Sequence, residues 1–92
     1  MVVGVLTLEL AIYEAHSLKD KRRVIKSLKD RIAQRFNVSV AEVGRLDARQ
    51  RATLGVAMVS NDAAYLHGCF DRIVDLARSG AAVLLEYERE IF

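Results

Sequence analysis

The apolar positions of this chain follow two periods, and the switches between them mark its elements. From residue 3 to 13 the period is two: Leu6, Leu8, Leu10 and Ile12 fall on one face and Thr7, Glu9, Ala11 and Tyr13 on the other, as in a strand with one face on a core. From Leu18 the spacing becomes helical, with Ile25, Leu28, Ile32 and Phe36 on one stripe. Ser17 followed by Asp20 reads as a capping box with Asp in place of Glu, and Asn37 as the helix stop. Val38 and Val40 mark the inward side of a short strand and "GRLDARQR" a hairpin loop; Leu54, Val56 and Met58, alternating with Thr53, Gly55 and Ala57, mark a third strand. Ser60 or Asn61 is expected to cap a second helix, with Asp62 in its first turn and Leu66, Cys69, Phe70, Ile73, Leu76 and Ala77 as its stripe until Gly80. In "AAVLLEYEREIF" the last strand is expected to turn Val83, Leu85 and Tyr87 inward and Leu84, Glu86, Glu88 and Glu90 outward.

The resulting order, strand, helix, strand, strand, helix, strand, predicts an α+β fold. It is the ferredoxin-like, split β-α-β arrangement, a four-stranded antiparallel sheet with two helices on one face and right-handed crossovers. At 92 residues and 52% apolar content, residues 1–92 are expected to form a single domain. Charged residues make up 28%, outside the composition of disordered chains. The apolar opening "MVVGVLTLELAIYEA" lacks a basic leader, carries Glu9 and alternates with period two, so it reads as neither signal peptide nor membrane span, and a cytoplasmic protein is expected.

The net charge of +2 carries little information until the fold distributes it. With strand one running up, the start of helix one and the loop between strands two and three share the top. His16, Lys19, Lys21, Arg22 and Arg23 are thereby gathered with Arg45, Arg49 and Arg51, and Arg78 ends the second helix there. On a helical wheel Lys29, Arg22, Lys26, Lys19 and Arg23 occupy a solvent arc, whereas Lys21 falls within the apolar stripe and needs either an overhanging first turn or a snorkelling stem. Cations at a helix start oppose its dipole by about 0.3 to 1 kcal/mol each. A sequence chosen for stability alone would place Asp or Glu there, and broken local rules are expected at functional sites. Free N–H groups beside Lys and Arg suit a phosphate. The competing reading is a solvated face partly neutralised by Asp20 and Asp30.

No other feature carries chemistry. Cys69 is the single cysteine, which excludes an internal disulfide, and with His16 and His67 it forms no metal-ligand spacing. Neither histidine has a nucleophile or orienting partner in sequence, so no catalytic residue, cofactor or metal is assigned. Glu9, Glu86 and Glu88 read as a solvated outer face, and the scattered glycines form no nucleotide loop. "EAHSLKD" has no arginine for an acylphosphatase-type phosphate loop. Among the outward residues of the central strands, Val5, Ala11, Tyr13, Gly55, Ala57 and Val59, only Tyr13 could stack on a base, too few for an RNA-recognition-motif sheet, and the face suits packing against another subunit or a partner protein instead.

The segments "SLKDKRRVIKSLKDRIAQRFNVSVAEVG", "DARQR" at 47–51 and "LGVAMVSND" at 54–62 resemble the YlxP-like bacterial family of small domains of unknown function, over nearly the whole chain. The resemblance implies a ferredoxin-like domain, often encoded beside translation-initiation and ribosome-maturation genes, with no catalytic residues to carry over. In the family pattern a Trp often precedes the hairpin Gln; here Arg49 stands in that place, so either a guanidinium plane takes over any stacking there or the contact is lost. These readings converge on a non-enzymatic module for structured RNA or a ribosomal subunit. Lys19, Lys21, Arg22, Arg23 and Lys26 of helix one and Arg45, Arg49 and Arg51 of the hairpin are its expected nucleic-acid-binding residues. The alternative is a regulatory or scaffold domain that forms a homodimer or larger oligomer through its open sheet face.

Overall fold

A computed structural model describes residues 1–92 as one antiparallel sheet with two helices on one face. The elements are β1 (Val2–Ala11), α1 (Leu18–Arg35), β2 (Ser39–Gly44), β3 (Arg51–Ser60), α2 (Ala63–Arg78) and β4 (Val83–Ile91). The strand order is β2-β3-β1-β4 with every pairing antiparallel, so the structure has the ferredoxin-like topology that the periodicity predicts.

The alternation of β1 and β3 places Leu6, Leu8 and Leu10 beside Val56, Leu54 and Ala52 under the helices, all buried. The predicted stripes of α1 and α2 cover them through Ile25, Leu28 and Ile32 and through Leu66, Phe70 and Ile73. Gly4 sets how closely α2 sits on β1. A Cβ there would stand 2.6 Å from Leu66 Cδ2 and 2.9 Å from Phe70 Cε2, so only glycine allows the approach.

Ser17 caps α1 as expected, its hydroxyl accepting from the Asp20 N–H, while Asp20 Oδ2 accepts from the His16 N–H. At α2 the cap is Asp62 rather than Ser60 or Asn61. Its Oδ1 accepts from the Ala64 and Tyr65 N–H groups, and Ser60 instead closes the preceding turn through the Asp62 N–H. A carboxylate is the stronger acceptor at a helix start, and it takes the capping position.

The outer strand departs from simple alternation. Glu86 lies opposite Glu9 but Leu84 lies opposite Leu10, which leaves Leu85 as the extra residue of a bulge. Leu84, not Val83 or Leu85, therefore packs against the core, while Val83 and Leu85 are exposed. Beyond the bulge the expected phase returns: Tyr87 lies opposite Leu8 on the helix side, and Glu86, Glu88 and Glu90 face away from the helices. No helix is long and apolar enough to cross a membrane.

Candidate nucleic-acid interface

Two segments far apart in sequence meet at the end of the sheet where β1 and β2 finish, and Lys21 joins them. Its side chain is 1% exposed, and its Nζ donates to Glu42 Oε2 at 2.9 Å and to the carbonyls of Arg45, Leu46 and Arg51 at 3.0, 3.3 and 3.3 Å. An ammonium has three protons to donate, so these acceptors occupy it fully. Lys21 is thus withdrawn from the predicted phosphate-binding set. It neither overhangs the core nor snorkels to solvent; it runs inward and fastens the hairpin to the first turns of the helix.

The acceptors converge because both β2 and the loop are distorted there. Glu42 faces the core side opposite Leu54, Val43 is a bulged extra residue, and Gly44 then pairs with Thr53. Arg45 follows with φ 57°, a left-handed backbone that costs a non-glycine residue about 1 kcal/mol or more. That conformation aims its carbonyl at Lys21 while its side chain crosses to the open sheet face, where Nε donates to Glu9 Oε2 at 3.3 Å. Glu9 also accepts from the Thr53 hydroxyl at 2.9 Å, so it serves as a partner for the hairpin rather than as a free carboxylate.

Gln50 makes a second fastening that the sequence did not reveal. Its Nε2 donates to the carbonyls of Tyr13 and Ala15, and its own carbonyl accepts from the Ile12 N–H. The β1–α1 connection is thereby tied to the hairpin, and Ala15, His16, Arg49 and Gln50 line a cleft of about 360 Å³ between them.

These ties distribute the predicted cations unevenly. Lys19, Arg22, Arg23 and Arg49 are accessible to solvent and have no carboxylate within ion-pair distance. Lys26 is exposed too but meets Asp30 at 2.6 Å, a solvated pair worth at most about 1 kcal/mol that leaves the ammonium free to change partners. Arg45 is held by Glu9. Arg51 is half-buried opposite Ala11 on the open side of the sheet, with its Nε buried and unpartnered. Arg78 lies over the Tyr87 ring, 5.6 Å from its centroid, with Asp75 at 3.9 Å. The four free cations come from both segments, and the cleft beside Arg49 and His16 is where the segments adjoin.

The histidine expected to stand alone on α2 has a partner from across the sheet. Arg89, opposite Leu6 on the helix side of β4, reaches His67 Nδ1 at 3.1 Å and Asp71 at 2.7 Å. No group of three or more His, Cys, Asp or Glu side chains is arranged to hold a metal ion.

Comparisons with known proteins agree with the fold and leave the chemistry open. Among solved structures, a designed protein described as LFR1 1 with ferredoxin fold matches with a TM-score of 0.55, 11% identity and coverage of 99% of this chain and 85% of that one. SnoaB, a cofactor-independent oxygenase from Streptomyces nogalater, matches with a TM-score of 0.56, 11% identity and coverage of 99% and 90%, a likeness of fold alone. The uncharacterized protein YlxP of Bacillus subtilis (strain 168) is 43% identical over 60 residues, which span 65% of this chain and 65% of that protein. A family model, described as Protein of unknown function (DUF503), matches residues 3–89. With nearly its whole length inside that match, and with the strand and helix order that its periodicity demands, the chain belongs to the DUF503 family of proteins of unknown function.

Proposed function

We propose that the protein is a non-enzymatic RNA-binding module that acts on a ribosomal subunit or another structured RNA through its basic end. The observation that supports this most directly is the set of four unpaired, solvent-accessible cations from two segments, Lys19, Arg22 and Arg23 of α1 and Arg49 of the hairpin, which the Lys21 and Gln50 ties hold together. Lys26 extends the surface along α1. Arginine forks and ammonium groups on a rigid support bind phosphate oxygens without reading base edges, so binding is strongly salt-dependent and weakly sequence-selective. His16 and the Arg49 guanidinium plane, both at the cleft, offer stacking surfaces for an unpaired base.

Filter binding of structured ribosomal RNA and of isolated ribosomal subunits across a salt series tests this reading. Four phosphate contacts give a slope of log affinity against log salt of about −3. The Arg22→Glu/Arg23→Glu/Arg49→Glu variant is expected to lose most of that slope and of the affinity at low salt. Wild-type binding without a salt slope, or binding that survives the three reversals, overturns it.

A second reading, compatible with the first, is self-association through the open sheet face. It draws support from Val43 and Val59, each 60% exposed on that face beside small residues such as Ala41, Gly55 and Ala57. Sedimentation at micromolar concentration that shows only monomer would eliminate it.

A further inference from the structure

The charge that the fold leaves unpaired is not confined to the basic end. Between α1 and α2, on the helix face, lies a shallow groove of about 480 Å³ lined by Arg35, Phe36, Arg72, Asp75, Leu76 and Ser79. Arg31, one helical turn before Arg35 on α1, reaches the same junction. Its Nη2 lies 2.7 Å from where a Cβ on Gly80 would stand, and its Nε is buried without a hydrogen-bond partner. None of the three arginines meets a carboxylate within ion-pair distance, and the one acidic residue at the rim, Asp75, lies 3.9 Å from Arg78. Two guanidinium groups in the lining, with Arg31 beside it, outnumber the one carboxylate and leave the groove cationic.

Packing alone does not call for this arrangement. Arg31 and Arg35 are like charges at the i, i+4 spacing, which weakens a helix, and a helix pair selected only for stability would set acids of α2 opposite them. The groups are also held in place. Arg72 lies over the Phe36 ring, 5.5 Å from its centroid, and its Nη2 contacts Cys69 Sγ at 3.6 Å, while the Arg31 guanidinium lies against Gly80. The Ser79 hydroxyl donates to the Leu76 carbonyl at 2.7 Å, which leaves its oxygen lone pairs for a ligand hydroxyl.

We infer that this groove is a binding site for a small phosphate ester of nucleotide size. Guanidinium forks pair with phosphate oxygens in two parallel hydrogen bonds, and the two that line the groove, with Arg31 beside them, match the several oxygens of a phosphate or diphosphate better than a single carboxylate. The organic part has a place to go. A second depression, of about 610 Å³, shares Arg35 and Phe36 with the groove and continues past Met58 and Tyr65, with Asn37 and Asn61 also in its lining. An aromatic body carried on the phosphate would lie along Phe36 and Tyr65 and meet those amides. The site lies on the α2 side of α1, whereas Lys19, Arg22, Arg23 and Lys26 occupy its solvent arc, so the two cationic surfaces can be tested separately.

The experiment is amide-resolved NMR titration of the full chain with inorganic pyrophosphate, adenosine diphosphate and adenosine. Saturable shifts are expected at residues 31–37 and 72–80 with pyrophosphate and adenosine diphosphate, and adenosine should bind about tenfold more weakly or worse. Arg31→Gln/Arg72→Gln should weaken adenosine diphosphate by about tenfold or more, and Arg31→Lys/Arg72→Lys, which keeps the charge but loses the forks, should recover only part of that loss. The Arg22→Glu/Arg23→Glu/Arg49→Glu variant should bind it as the wild type does. Absence of saturable shifts in the groove at millimolar ligand, or adenosine binding as tightly as its diphosphate, overturns the inference. Shifts confined to the basic end would also overturn it, while leaving the RNA reading intact. An RNA hexamer that displaces adenosine diphosphate at lower concentration than pyrophosphate does would reassign the groove to RNA.

Discussion

Lys21 and its neighbours Lys19, Arg22 and Arg23 are cations of one helix start with opposite fates. Lys21 is removed from water and holds four acceptors of the hairpin; the other three are open to solvent and form no ion pair within the protein. The buried ammonium serves the fold, and it does so by fixing where the hairpin sits. The solvent-facing ones oppose the helix dipole or repel one another, with no compensating contact inside the molecule. The difference shows one lysine given over to positioning: it ties the hairpin that carries Arg49 to the helix start that carries Lys19, Arg22 and Arg23.

The largest effect should follow from breaking the clamp. Glu42→Ala leaves the Lys21 ammonium buried without its counter-charge and is expected to cost about 3 to 5 kcal/mol in urea unfolding, a large share of the roughly 5 to 15 kcal/mol that holds a domain together. Lys21→Met/Glu42→Leu removes both charges and should recover much of that loss. It does not restore a donor to the carbonyls of Arg45, Leu46 and Arg51, so the hairpin should remain loose. The Ala48 amide, which donates to the Arg45 carbonyl at 3.0 Å, reports this directly: its hydrogen exchange should quicken in the double variant although global stability is regained. If exchange at Ala48 stays at the wild-type rate, Lys21 is not what positions the loop.

A second, smaller disruption separates stability from positioning. Gly4→Ala places a methyl against Leu66 and Phe70, far from the hairpin, and should destabilise by about 1 to 3 kcal/mol through overpacking. RNA affinity per folded molecule is expected to be unchanged. The clamp variants, with the hairpin loosened, are expected to bind RNA more weakly; a Gly4→Ala protein that loses as much binding would show that the loss follows general instability, and would remove the case for Lys21 as a positioning residue.

The two halves of this comparison were not equally legible in sequence. The core was readable because period two and period 3.6 are local properties: Leu6, Leu8, Leu10, Ile25, Leu28 and Ile73 are all buried where the pattern put them. Lys21 stood out on the helical wheel, yet its partners lie at residues 42 to 51, and no local rule connects them. One signal was available: Val38 and Val40 face inward, so the same alternation turns Glu42 inward, and an acid and a base each misplaced on an apolar face are candidates for one pair. The β4 phase failed at Val83 and Leu85 because the bulge at Leu85 is set by pairing with β1 and has no Gly or Pro to announce it. The groove of Arg35 and Arg72 was invisible for a related reason, since it is made by two helices packed side by side on the sheet.

The smallest effect sharpens the comparison most, because its sign is opposite. Lys19 is the second residue of α1, where the free N–H groups favour a negative charge. Lys19→Glu should therefore stabilise the protein, by about 0.3 to 1 kcal/mol from the dipole and a few tenths more from attraction between the introduced carboxylate and Arg23 at i, i+4. In thermal unfolding at low salt this corresponds to a rise of about 2 to 12 °C for a chain of this size. The same substitution removes one proposed phosphate contact and, on that proposal, should lower the magnitude of the salt slope of RNA binding by about 1. A gain in stability coupled to a loss in binding would mean that the cation at position 19 is retained although it weakens the fold, as a ligand-binding residue is. A gain in stability with binding unchanged would leave Lys19 as a solvated side chain and confine the basic end to Arg22, Arg23 and Arg49.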